Sequence, residues 1–161
     1  MATKILHLLR HAKSAHDDYV SKDIERHLSA KGYRDAEEKA SLFKGRHKTP
    51  QLIISSPAIR AFTSAMIFAR KLDYEIENIA IEKNIYEASL KQLFHVINHL
   101  QKEFESLMIA GHNPGLTYFV NSLCGKNVID ELSTSAVATI TFDNHAWSEI
   151  NSASGELMDV I

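Results

Sequence analysis

Cysteine is nearly missing: the chain has one, Cys124, in 161 residues. A lone thiol cannot close an internal disulfide, so nothing marks an oxidising compartment. An excess of either charge is missing too. The 18 Lys and Arg against 20 Asp and Glu leave a formal net charge of −2. That balance argues against a broad nucleic-acid footprint and against an anchor on an acidic membrane. Any attraction for anions must therefore be local. Long apolar runs are also lacking. The start, MATKILHLLRHAKS, offers a stretch of five residues, ILHLL, before charge returns. This is too short for a signal-peptide core or a membrane span, and no later segment is long enough. The expected location is the cytoplasm. Repeats, low-complexity tracts and Gly- or Pro-rich linkers are absent as well, so residues 1–161 read as one domain. A hydrophobic content of 45% is enough for its core.

What is present is an alternation. Short bounded apolar runs at KILHLL (4–9), PQLIISS (50–56), ESLMIAG (105–111) and AVATITF (136–142) read as strands. AWSEINS (146–152), after the turn DNH, reads as the return strand of a terminal hairpin, and NIAIEKNI (78–85) as a further short strand. Four helices fall between them. Ser29 caps the first, with Tyr33, Ala36, Ala40 and Phe43 on one face. Ser56-Pro57 reads as an N-cap and first-turn proline for the second, whose inward stripe is Phe62, Ala65, Ala69 and Leu72. Ser89 and Gln92 form a capping box ahead of Leu90, Leu93, Phe94, Ile97 and Leu100. Pro114 opens the fourth, which carries Leu116, Phe119, Val120 and Leu123 and stops at Gly125. Apolar strands alternating with amphipathic helices imply an α/β fold with a largely parallel sheet covered on both faces.

In such sheets ligands bind at the carboxyl ends of the strands. The first strand is followed there by Arg10-His11. The second is followed by Ser55-Ser56-Pro57, with Arg60 in the next helical turn, and the third by Gly111-His112-Asn113-Pro114. Two guanidinium groups and two imidazoles thus reach one edge, with no carboxylate in the three junctions. Two helix N-termini point the same way. Singly, a strand-end Arg is a solvated surface residue and a strand-end His a structural one. Together they suit a compact dianion such as a phosphoryl group, because the arginine fork binds two oxygens and stays charged.

LLRHAKS, SSPAIRAFTSA and LMIAGHNPGL resemble, in order, the three signature motifs of the histidine phosphatase superfamily, the phosphoglycerate mutase-like fold. DIERHLSAKGYRDAE (23–37) and STSAVATI (133–140) are most similar to its SixA-type phosphohistidine phosphatases. The resemblance runs from residue 4 to about 142. It implies a three-layer sandwich with a mostly parallel central sheet flanked by helices. It also implies that His11 is the nucleophile, taking up the phosphoryl group as phosphohistidine. Arg10 and Arg60 would clamp the oxygens and His112 would complete the phosphate-binding set. No metal or cofactor is implied, because the arginines supply the cationic charge. The chemistry is consistent: a neutral imidazole with one free nitrogen is a good nucleophile, and fixed positive charge stabilises the equatorial oxygens. His112, if protonated, would donate to the phosphoryl group.

Two departures stand out. Ala12 follows the Arg-His pair where many members have Gly. Asn113 follows the second His where one branch has an Asp general acid, and Asn supplies no proton. Glu87 is the one well-placed alternative acid; its plainer reading is a solvent-facing residue just ahead of the Ser89 cap. A missing acid matters less for phosphohistidine, since a protonated phosphoimidazole leaves as neutral imidazole whereas an alkoxide needs a proton. The chain is also short for enclosing a sugar phosphate, which suits a residue presented on another protein. The expected partner is thus a phosphohistidine-bearing protein or, as the alternative, a small phosphate ester, with no nucleic acid and no membrane. A non-catalytic phosphate-binding module is the third reading.

Other residues invite weaker readings. His95 and His99 are four apart on a helix but lack a third ligand nearby in sequence, so they read as exposed. His7 reads as a packed strand residue, Cys124 as a small core side chain and Arg26 as structural or rim-forming. Lys13 and Ser14 read either as pocket lining or as plain loop.

Overall fold

The computed structural model describes residues 2–16, 22–101 and 103–161. Six strands form one sheet: β1 Lys4–Arg10, β2 Leu52–Ser55, β3 Ala80–Ile81, β4 Ser106–Gly111, β5 Val137–Phe142 and β6 Glu156–Val160. Their order across the sheet is β3-β2-β4-β1-β5-β6. β1, β2, β3 and β4 run parallel, whereas β5 is antiparallel to β1, and β6 to β5. The helices are α1 Ala30–Arg46, α2 Ile59–Lys71, α3 Leu90–Asn98 and α4 Gly115–Cys124.

Side chains alternate across the pleat, so each parallel strand feeds two cores. Leu6, Leu8, Leu107 and Ile109 pack with Leu93 and Ile97 of α3 and with Phe119 and Val120 of α4. Leu9, Ile53 and Met108 pack on the other face with Ala36, Ala40 and Phe43 of α1 and with Ala65 and Phe68 of α2. This is the expected three-layer α/β sandwich.

Local signals set most boundaries. Ser29 Oγ accepts from the Gly32 N–H at the start of α1, and Ser89 and Gln92 close the capping box of α3. Gly125, at φ 72°, ends α4 in the left-handed conformation that glycine tolerates. Within α1 the inward stripe differs by one residue: Tyr33 is exposed and Gly32 is buried in its place. A Cβ at Gly32 would overlap the Lys13 carbonyl oxygen, so only glycine lets α1 lie against the loop after β1.

Three expectations need correction. Ala58, not Ser56, is the N-cap of α2; Ser56 Oγ accepts the Ala58 N–H from two residues upstream. Residues 78–85 contribute only the two-residue strand β3, between single 3-10 turns. Residues 146–152 are not a strand. Trp147–Glu149 form a 3-10 turn, and β6 follows at 156–160. The spacing explains this, because Trp147 and Ile150 both turn into the same core. Asn98 Nδ2 donates to both of their carbonyl oxygens, at 2.7 and 2.9 Å. β6 buries little of either face and so carries no apolar alternation to read.

Candidate active site

The carboxyl ends of β1, β2 and β4 meet as expected. Arg10 ends β1, with His11 next; Arg60 is the second residue of α2; His112 follows β4. The rings of His11 and His112 lie 5.2 Å apart, centroid to centroid. The sequence-predicted four therefore come together, with chain separations too large for any local pattern to enforce it.

His11 is held at both ends of its peptide. Its backbone N–H donates to Gly111 O at 3.0 Å, and its Nδ1 donates to Ala12 O at 2.7 Å. The donating nitrogen is fixed because a carbonyl only accepts, which leaves Nε2 with its lone pair. Burial, with Arg60, Arg10 and Arg26 nearby, pushes the His11 pKa down to about 4, although the Ala12 bond pulls the other way. The imidazole is therefore neutral at pH 7, with its one proton on Nδ1 and Nε2 bare.

Arg10 NH1 donates to Leu132 O at 2.9 Å and reaches Glu131 at 3.3 Å. Arg60, nearly buried, donates from NH1 to Asp23 O at 2.8 Å and from NH2 to Asp23 Oδ2 at 2.9 Å. His112 Nε2 lies 2.8 Å from Ser56 Oγ. Burial and the neighbouring His11 and Arg60 push the His112 pKa down to about 3, so the ring rests neutral.

Among the described residues, three buried side-chain nitrogens have no hydrogen-bond partner: Arg10 Nε, Arg60 Nε and His112 Nδ1. Leaving one buried donor unpaired costs about 1–3 kcal/mol, and native folds rarely tolerate that without a reason. The three belong to the three strand ends that converge on His11. Oxygens of a tetrahedral anion satisfy such donors together.

Several contributors escaped the sequence reading. Asp23 accepts from Arg60, from Arg26 Nε at 3.0 Å and from the Tyr86 hydroxyl at 2.7 Å. These bonds hold its pKa down to about 2, the Tyr86 bond contributing most, and raise that of Tyr86. Arg26 thus acts at the rim, as read. Ser64, fully buried on α2, donates to Arg60 O at 2.7 Å and accepts from Ala12 N at 2.9 Å. It ties the loop carrying His11 to the helix carrying Arg60. The Ser135 N–H is shared between Arg10 O and His11 O at 3.1 and 3.2 Å. Asp23 and Ser135 do sit in the quoted stretches 23–37 and 133–140, but nothing local marks their partners.

Glu87 lines a cavity of about 530 Å³ together with Asp23, Arg60, Tyr86, His112 and Tyr118. Asn113 is occupied structurally: Nδ2 donates to Leu132 O at 2.8 Å, and Oδ1 accepts from Thr117 N and Oγ1. Ser14 pairs with Leu28 in an isolated bridge, while Lys13 is exposed and offers its carbonyl to Ser29. His95 and His99 are exposed and stack on each other at 3.9 Å. Cys124 is half-buried against the core. No group of three metal-ligating side chains occurs among the described residues, and no helix of the described residues is long and apolar enough to cross a membrane.

The sheet and its loaded edge define an α/β domain whose strand ends gather two arginines, two histidines and three unpaired buried nitrogens. Residues 6–116 match the family model for the histidine phosphatase superfamily (branch 1), and the chain belongs to that family as a phosphatase. Solved structures agree in fold. One from Agrobacterium tumefaciens, assigned as the phosphohistidine phosphatase SixA, is 26% identical, with a TM-score of 0.82 over 98% of this chain and 97% of that one. The protein histidine phosphatase SixA complexed with tungstate is 21% identical, with a TM-score of 0.83 over 98% and 96%. A mycobacterial glucosyl-3-phosphoglycerate phosphatase is 12% identical, with a TM-score of 0.71 over 97% of each chain.

Proposed function

We propose that this phosphatase works through a covalent phosphohistidine on His11 and removes phosphoryl groups from phosphohistidine in proteins. The observation that carries the reading is the trio of unpaired buried nitrogens, Arg10 Nε, Arg60 Nε and His112 Nδ1, on residues that neighbour an imidazole presenting a bare Nε2. That nitrogen attacks phosphorus in line. The N–P bond of the substrate breaks, and its electron pair returns to the departing imidazole, which leaves neutral because its other ring nitrogen already carries a proton. Water then attacks phospho-His11, releasing orthophosphate and restoring the nitrogen lone pair. In both steps charge on the equatorial oxygens falls to the two guanidinium groups and His112. The substrate preference is supported by the SixA likeness and by Asn113, which is tied to Leu132 and Thr117 and has no proton to give.

A second reading has its own observation. Glu87 lines the cavity that Arg60 and His112 also line, where it could protonate the alkoxide of a small phosphate ester. The deciding assay follows phosphate release with chelator present, from phosphohistidine peptide and from a phosphate monoester. Wild type should act on the peptide, and His11→Ala should lose all turnover; undiminished turnover in that variant ends the proposal. Glu87→Gln should lose ester hydrolysis alone if the acid serves only esters.

A further inference from the structure

We propose that Ser56 is a positioning residue that fixes the tautomer of His112, so that the neutral ring presents Nδ1–H to the phosphoryl group. The inference rests on the phosphoryl-transfer reading above and deepens it. Ser56 is fully buried between β2 and α2. Its Oγ accepts the Ala58 N–H at 3.2 Å, and His112 Nε2 lies 2.8 Å away. Among the described residues, that nitrogen is the one acceptor within reach of the Ser56 hydroxyl proton.

Only two neutral arrangements exist. If Nε2 carried the proton, Ser56 Oγ would accept twice while its own O–H pointed at nothing. The buried Nδ1 lone pair would also face phosphoryl oxygens, which repel it. If the hydroxyl donates to Nε2, both of those atoms are satisfied and the pair keeps one orphan, the Nδ1–H donor that an oxyanion completes. The second arrangement satisfies every buried group once the anion is present.

The consequence is a division of labour between two rings 5.2 Å apart. The Ala12 carbonyl puts the His11 proton on Nδ1 and frees Nε2 to attack. The Ser56 hydroxyl puts the His112 proton on Nδ1 as well, but there Nδ1 is the atom without a protein partner. His112 therefore donates without being cationic. That answers how a ring whose charged form is disfavoured serves an anion at neutral pH. Without Ser56 the ring reverts towards Nε2–H, the tautomer that free histidine prefers, and donates from Nδ1 only as the imidazolium.

The test is nitrogen-15 NMR of histidine-labelled protein near pH 7, with pH profiles of phosphoimidazole hydrolysis alongside. Wild-type His112 should show a protonated-type Nδ1 and a bare Nε2. A spectrum with the proton on Nε2 overturns the proposal, whether or not any variant folds and whether or not the enzyme turns over. Ser56→Ala should lower kcat/KM on the order of 10–100-fold, as for a weakened oxyanion donor. Its rate should also decline more steeply than that of wild type from pH 6 to 8, and Ser56→Thr should restore the wild-type profile. A parallel, pH-independent loss in Ser56→Ala with Nδ1–H retained assigns Ser56 a purely structural part and sinks the claim. If wild type releases no phosphate from phosphoimidazole, the catalytic reading falls, while the NMR still decides the tautomer.

Discussion

His7 and His11 sit four residues apart, on and just beyond the same strand, and burial depresses both, to about 3 and about 4. Only their partners differ. His7 faces the α1 side of the sheet, its Nδ1 2.8 Å from Thr139 Oγ1 on β5 and its ring edge-on to Phe43 at 4.8 Å. No buried atom around it lacks a partner among the described residues. His11 sits where the strand ends and the peptide must turn. Its neighbours Arg10, Arg60 and His112 carry the three unpaired buried nitrogens of the described residues. A depressed pKa marks burial in both places; unsatisfied polar atoms mark a binding site in only one.

The sharpest way to break this contrast is to exchange the losses. His11→Ala should abolish turnover, by about 10⁴-fold or more, with little change in thermal unfolding. His7→Gln should leave kcat within about threefold of wild type and lower stability instead. Steady-state kinetics beside calorimetric melting checks both, and a catalytic defect in His7→Gln would erase the distinction. Next in size is Asp23→Asn. It weakens the hold on the Arg60 guanidinium, and kcat/KM should fall about tenfold with the fold intact. Equal rates for Asp23→Asn and wild type would show that Arg60 needs no such brace.

Gly32→Ala probes the loop behind His11 from the α1 side. Its Cβ must displace Lys13, so stability should fall by about 1–3 kcal/mol, read by urea titration. The last effect is a slope, spread over several pH units. Folded His7 stays neutral down to about pH 3, whereas in the unfolded chain it takes up a second ring proton below about 6.5. The contribution to stability is therefore whole above 6.5 and is lost as pH falls towards 3, at up to about 1.4 kcal/mol per pH unit for each such histidine. His7→Gln should flatten that decline by one proton. An unchanged slope between pH 4 and 6.5 would place the acid sensitivity elsewhere.

The legible parts of the molecule were those written locally. The Ser29 cap, the Ser89–Gln92 box and the Gly125 stop each involve residues within a few positions, and all three hold. Arg10, His11, Arg60 and His112 were legible because each follows an apolar run whose end the sequence shows. The second cap falls at Ala58, which takes the extended cap conformation, because the Ser56 side chain is drawn instead to a histidine 56 residues away. The terminal strand was misplaced because Trp147 is anchored by Phe104 O, 43 residues away, an attraction that no alternation in AWSEINS encodes.

By itself, then, the sequence determined the alternation of strands and helices and the chemistry delivered at each strand end, because periodicity and capping act over one or two turns. Tertiary structure alone decided that Asp23 braces Arg60 across 37 residues and that Ser64 links Arg60 to the residue after His11. It also decided which donors stay unpaired. Hydrogen-bond satisfaction depends on what lies within about 3 Å in space, and chain order does not specify that distance.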